Sequence, residues 1–421
     1  MGARPPAGRP SGRRSPGRTP PKQLITARRL IDGTGAAPVE NAGLLVDDAG
    51  RIVFAGPRAA LPPLPTLVPR TDLSGRTLLP GIVDAHVHLA FDGGPDPVSA
   101  IQATDDAALY AAMTERAAGM LRAGITSARD CGARGWLDLR LRDAIAADEV
   151  PGPRLAVSGS PLTIDDGHCH YLGGCTPRGV ATVRAQARRQ LDAGSDWVKV
   201  MVSGGRITPG SDATQPQFDR DEVRAAVEEA HRDGRRLAAH AHATASIADA
   251  VAVGVDSVEH CSWISPDDDF LYDPDVARAM AAESVYACPT LHWRFPEIAA
   301  KRGPDWPRRR LDLIARMHAT GVPIAFGTDC GIPRVPHDRW AGGIVWLAQA
   351  LGSPLAAIRA ATSGSAACVG LRDVGTLAPG KLADVIAVDG DPLQDLACLQ
   401  SIAWVMQGGR VVHSAEQAVG A

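Results

Sequence analysis

From Leu78 onward the chain alternates two patterns: short runs of β-branched and apolar residues, and longer segments whose apolar positions recur at helical spacing. Period two and period 3.6 taking turns in this way are the signature of βα units on a parallel sheet. The strand candidates are "LLPGIVDAH" from Leu78, "ITSARD" from Ile125, "RLAVSG" from Arg154, "WVKVMV" from Trp197, "RLAAHAH" from Arg236, "VDSVEH" from Val255, "VYACPT" from Val285 and "IAFGTD" from Ile324. Thr104 to Arg122, Pro177 to Asp192, Arg220 to Arg232 and Pro307 to Ala319 read as amphipathic helices between them, several closing on Ala-Gly or Asp-Gly. Eight repeats predict an α/β fold, a (β/α)8 TIM barrel over residues 81–372.

On both sides of this region the pattern changes. "QLITARRLIDGTG", "AGLLVDDAGRIVFAG" and "TDLSGRTLLP" precede it, and "VGTLAPGKLADVIAVDGD" and "IAWVMQGGRVV" follow. Short alternating runs broken by Gly and Asp predict hairpins, so residues 23–80 and 373–421 are expected to build one small β-domain from both ends of the chain. Residues 1–22 hold six basic residues, no acidic ones and many Pro and Gly. They read as a disordered tail without the apolar h-region of a secretory signal.

Composition narrows the partners. Lys+Arg 44 against Asp+Glu 47 gives a formal net charge of -3, with 45% hydrophobic and 22% charged residues, a balance that points away from nucleic acid and membrane surfaces. No run approaches the length of a transmembrane helix. Eight cysteines show no C-x-x-C spacing, and reduced thiols in a cytoplasmic protein are expected. Cys261 and Cys330 each follow a candidate ligand and are read as small space-filling residues beside the pocket. Oligomeric state stays open, a homo-oligomer included.

Unusual polar residues fall at one place in several repeats, the C-terminal end of the strand, where a (β/α)8 barrel builds its active site. The first strand ends in His86 and His88; the fourth carries Lys199, the fifth His240 and His242, the sixth His260 and the eighth Asp329. Strand alternation puts Trp197, Lys199 and Met201 on one face and two valines on the other, so Lys199 is expected to face the lumen. An unpaired buried ammonium is costly there. A neutral lysine can instead add CO2 to give a carbamate, an oxygen ligand able to bridge two metal ions. Histidine and carboxylate donors suit zinc, with manganese, cobalt or iron close behind. Two such ions lower the pKa of a water between them and polarise a carbonyl, and Asp329 beside that water can take its proton and pass it to the leaving group.

The segments "DAHVH" (Asp84 to His88), "DWVKVMVSGG" (Asp196 to Gly205), "AHAHA" (Ala239 to Ala243), "VDSVEH" and "FGTDCG" (Phe326 to Gly331) resemble the amidohydrolase superfamily, in particular its binuclear branch with a carboxylated lysine. Within it the chain is most similar to imidazolonepropionase-like and Xaa-Pro dipeptidase-like members, from Leu24 to Val412. The resemblance implies that the terminal segments form a β-sandwich. It further implies that His86, His88 and Asp329 hold one of two divalent metals, His240 and His260 the other, and N6-carboxylated Lys199 bridges them. "DDGHCHYLGG" after the third strand, where the family has a Gly-rich loop with a histidine, makes His168, His170 and Tyr171 candidates for substrate contact. His242, Arg206 and His292 join them, Arg206 as a partner for a substrate carboxylate. His231, His318, His337 and His413 are read as surface or capping residues. The implied activity is hydrolysis of a peptide-like or N-acyl amino acid amide, with the trimming step of a natural-product pathway as one setting for it. Lactone, carbamate or cyclic-amide hydrolysis on the same site and a non-catalytic metal-binding scaffold are the rival readings.

Overall fold

The computed structural model describes residues 21–64 and 67–415. Fourteen strands are assigned among them: β1 Pro21–Leu30, β2 Val39–Asp47, β3 Ile52–Pro57, β4 Arg70–Pro80, β5 Ile82–Val87, β6 Ile125–Asp130, β7 Arg154–Val157, β8 Trp197–Met201, β9 Arg236–Ala243, β10 Ser257–Ile264, β11 Tyr286–Cys288, β12 Val385–Asp389, β13 Ile402–Gln407 and β14 Arg410–Ser414. The expected tail lies outside the described residues up to residue 20. Pro21 and Lys22 belong instead to β1, whose ladder with β2 extends to the pair Pro21 and Asp47.

Both ends of the chain meet in one seven-stranded sheet of order β14-β13-β12-β4-β1-β2-β3, antiparallel throughout except between β1 and β4. Its strands alternate as period two requires. Val385 and Ala387 of β12 join Ile25, Leu44 and Trp404 in the sheet's own apolar cluster. Ile386 and Val388, pointing the other way, join the large core that fills the rest of the protein.

That remainder is mixed α/β with parallel strands in two groups, β5-β6-β7 and β8-β9-β10-β11. Single parallel bridges link them: Leu162 with Val200, Ala287 with Ile324, and Val87 with Cys330. The run "IAFGTD", expected as the eighth strand, carries no assigned strand. It is nevertheless hydrogen-bonded on both sides: Ala325 N–H donates to the Ala287 carbonyl (2.9 Å), and Ala85 N–H donates to the Phe326 carbonyl (2.9 Å). Gly327 and a left-handed Asp329 (φ 57) interrupt the regular pleat here.

Pro80-Gly81 divides the first expected strand in two, β4 in the large sheet and β5 in the parallel group. A Cβ at Gly81 would stand 2.1 Å from Thr126 Oγ1, so only glycine fits this crossing. Helices occupy the expected intervals, at Asp106–Arg122, Val180–Asp192, Arg220–Arg232 and Trp306–Thr320. The Arg220–Arg232 helix starts sharply because Asp219 and Glu222 form a reciprocal capping box. Among the described residues no helix is long and apolar enough to cross a membrane.

Candidate active site

The C-terminal ends of the parallel strands converge on a cluster of imidazoles. His86, at the end of β5, is completely buried, and its Nδ1 lies 2.7 Å from Glu259 Oε2. Glu259 also pairs with the Arg129 guanidinium and accepts from the Ser257 hydroxyl at 2.6 Å. Burial opposes its charge, but Arg129 and His86 outweigh that and hold the carboxyl well below the usual carboxylate range. A carboxylate at Nδ1 requires the proton there, so His86 presents a bare Nε2. The Gly132 carbonyl, 3.4 Å from His88 Nδ1, gives His88 the same tautomer. The two Nε2 atoms are 3.3 Å apart and stand 3.4 and 3.6 Å from Asp329 Oδ1.

Asp329 is held in place by its own backbone and its neighbours. Its N–H donates to the His86 carbonyl (2.8 Å), and Thr328 donates from hydroxyl (2.6 Å) and N–H (3.1 Å) to buried Asp84. Burial pushes the Asp329 carboxyl up to about 8, against the opposing pull of Lys199.

The second half of the cluster comes from β9 and β10. His240 Nε2 lies 3.1 Å from the Gly204 carbonyl, which fixes the proton on that nitrogen and turns Nδ1 toward His260 Nε2 at 2.9 Å. His260 Nδ1 is 2.8 Å from the Thr290 hydroxyl and 3.9 Å from Asp329 Oδ2. The His242 ring stacks on that of His260 (4.5 Å between centroids, 17° between planes) with Nδ1 on the Ser262 hydroxyl. Of three sets among the described residues with donor atoms within 4.8 Å of one another that could hold a metal ion, one is His86, Glu259 and Cys288, and two meet at this cluster: His240, His242 and His260, and His86, His260 and Asp329. His260 belongs to both of the latter.

Lys199 enters from β8, completely buried, and its Nζ has no hydrogen-bond partner among the described residues. Asp329 is therefore not a hydrogen-bond partner of Lys199. Burial, reinforced by the Lys199 charge, lowers His86 to about 4 and His168 to about 3, which leaves the imidazoles neutral and able to bind a cation.

A cavity of about 290 Å³ opens onto this cluster, lined by His88, His240, His260 and Asp329 at its base. His168, His242, His292 and Arg206 also line it, whereas His170 and Tyr171 do not. His170 turns back to the Gly167 carbonyl (3.0 Å) and Tyr171 to the Thr208 hydroxyl (3.2 Å), so both brace the loop that carries His168. Arg206 is ion-paired with Asp268 at 2.5 Å, and Asp268 takes Arg302 as well (2.6 Å). The far wall is apolar: Leu291, Phe295, Ile298, Phe270 and Trp306.

Several supporting residues escaped the sequence reading. His337, expected at the surface, is buried with Nε2 on the His88 carbonyl (3.0 Å), because the segment after Asp329 folds back over β5. Arg129 and Glu259 had a visible signal, an arginine and a glutamate inside apolar strand runs; their pairing had none. Cys261 and Cys330 are buried beside the cavity without lining it, and Cys169 lines it instead.

Comparison with known proteins identifies the family. Residues 77–412 match the model of the amidohydrolase family. Ochratoxinase of Aspergillus niger is 29% identical over 92% of this chain and 86% of its own. Imidazolonepropionase of Paracoccus denitrificans is 25% identical over 87% and 92%. The crystal structure of a Xaa-Pro dipeptidase with methionine bound in its active site superposes with a TM-score of 0.80 at 27% identity, covering 92% of this chain and 99% of that one. The chain therefore belongs to the amidohydrolase family, hydrolases of carbon-nitrogen bonds.

Proposed function

We propose that the protein is a metal-dependent amidohydrolase that cleaves the amide bond of a peptide-like or N-acyl amino acid substrate. Lys199 carries this reading: a fully buried amine with no hydrogen-bond partner among the described residues, set among imidazoles and close enough to Asp329 to pull the pKa of that carboxyl downward against burial. Once the ammonium has lost a proton, the free amine can add CO2 and release a second proton, which replaces a costly cation by a carbamate anion that could serve two metals. His86, His88 and Asp329 would hold one ion, His240 and His260 the other, with carboxylated Lys199 between them. Zinc fits these donors best, and manganese, cobalt or iron would be accepted. When bound, the pair supplies Lewis acidity toward the scissile carbonyl and the attacking water. The bonds that join the two parallel groups through Leu162 and "IAFGTD" support a closed (β/α)8 barrel over residues 81–372. Residues 23–80 and 373–421 would form the β-sandwich beside it.

Asp329 takes a proton from the attacking water and returns it to the amide nitrogen as the carbon-nitrogen bond breaks. His168, His242 and His292, neutral and open to the cavity, orient the substrate's polar atoms, and the apolar wall receives its side chain. His240 rather than His242 is the ligand in this reading, because Gly204 fixes its tautomer while His242 is tied to Ser262. The names of the similar proteins, a Xaa-Pro dipeptidase among them, support peptide-like chemistry. A peptide-trimming step in the cytoplasm, within natural-product biosynthesis, is the setting we infer.

Lys199→Ala tests the mechanism. Metal analysis should show about two ions per chain in the wild type and a loss of both metal and turnover in the variant. Full activity in Lys199→Ala would rule the mechanism out.

A further inference from the structure

We propose that Arg310 is a positioning residue that fixes His260 and its partner Thr290 at the active-site ends of β10 and β11. The inference rests on His260 being a metal-holding residue. Arg310 comes from the Trp306–Thr320 helix, outside every motif that marks the site, and is 5% exposed. Its Nη2 donates to the carbonyls of His260 (2.7 Å) and Pro289 (3.0 Å), and its Nη1 to that of Cys261 (3.2 Å). One guanidinium thus ties the ends of two neighbouring strands together.

Those carbonyls lie where the backbone leaves the regular ladder. His260 (φ 65), Cys261 (φ 45) and Thr290 (φ 49) are all left-handed, a conformation that non-glycine residues keep only when their surroundings impose it. The register of β10 with β9 shifts between His260 and Ile264. The planar fork of Arg310 supplies the donors that hold this irregular stretch.

Two determinants of the His260 ring, its backbone and its Nδ1 partner, pass through that fork, beside the contacts that His240 and His242 make with the ring. Its own backbone is held by the bond to the His260 carbonyl. Its Nδ1 partner, the Thr290 hydroxyl, is held by the bond to the preceding Pro289 carbonyl. Arg310 lines the cavity, yet burial rather than an acid dominates its environment and lowers its pKa to about 10. A structural arginine this deep is normally paired with a carboxylate, as Arg129 is with Glu259. Arg310 is paired with the carbonyls of the site.

The test compares wild type with Arg310→Gln, Arg310→Lys and Thr290→Val. In metal-free protein, the His260 imidazole nitrogen resonances should move in Arg310→Gln and Thr290→Val. Zinc competition against a chelator should show Arg310→Gln binding its weaker zinc roughly tenfold less tightly, with kcat reduced and KM little changed. Arg310→Lys should recover part of both losses. Thr290→Val added to Arg310→Gln should cost no more than either alone, since both act through one ring. Unchanged His260 resonances in a folded Arg310→Gln overturn the proposal whether or not the protein binds metal. If Arg310→Gln does not fold, unshifted His260 resonances and wild-type zinc affinity in both Arg310→Lys and Thr290→Val overturn it equally. A wild type that binds no zinc while the His260 resonances still shift would refute the metal reading and leave the positioning role standing.

Discussion

Arg129 and Glu259 are both completely buried, and each is tolerable only because the other is present. The guanidinium also donates to the Ala85 carbonyl (2.7 Å) and the Ser257 hydroxyl (2.9 Å) and stacks on Trp197 (4.3 Å), so it ties β5, β6, β8 and β10 together beneath the site. Glu259→Gln keeps the shape but leaves an uncompensated cation. Urea unfolding of metal-free protein should show a loss of about 3–5 kcal/mol. Arg129→Met should cost a similar amount, and the double variant clearly less than the sum, because no lone charge is left behind. Strict additivity would show that the pair does not act as a unit. Glu259→Gln should also weaken metal binding roughly tenfold, since the proton on His86 Nδ1 is then held less firmly.

Elements were legible where a local signal marked them. The Arg220–Arg232 helix was read with its bounds unchanged, because the Asp219 cap and the Glu222 side chain are local devices that need no tertiary contact. Burial raises the Glu222 pKa, but hydrogen bonds from Arg178 and from the backbone N–H groups of Asp219 and Gly179 outweigh it, and the net shift is downward. A carboxyl lowered on folding contributes stability above its unfolded pKa and loses it as pH falls through the folded value. Glu222→Gln should therefore cost about 1 kcal/mol at pH 7, and the difference should shrink progressively in thermal or urea unfolding as pH falls below the ordinary carboxylate pKa of about 4.3. A difference undiminished at pH 3 would trace to packing rather than charge. The eighth strand shows the opposite case. "IAFGTD" has the right composition, but Gly327 and the left-handed Asp329 break its pleat, and the bonds that hold it come from β5 and β11, far away in sequence.

At the scale of the whole molecule, β12 to β14 complete a sheet begun by β1 to β4, so the last described residues cover the edge of β4. Removing residues 385–421 would uncover Leu78 and Leu79, now fully buried, and an unpaired strand edge. The shortened chain should aggregate or elute as large species in size-exclusion chromatography. A soluble, monodisperse product with an unchanged circular dichroism spectrum would show that the parallel α/β region stands alone. The sequence by itself determined the alternation of strands and helices and the histidines, lysine and aspartate at the strand ends, because period and position along a strand are local properties. It also marked the two flanking segments as β-structure. Only the tertiary structure decided which groups meet: Glu259 on His86, Gly204 on His240, His337 on the His88 carbonyl, and Arg310 on three carbonyls. It likewise decided that Lys199 has no hydrogen-bond partner among the described residues and that Arg206 is taken by Asp268. The physical reason is that a buried polar group is satisfied by whatever the fold brings within 3 Å, and for these residues the partner lies tens to hundreds of positions away in the chain.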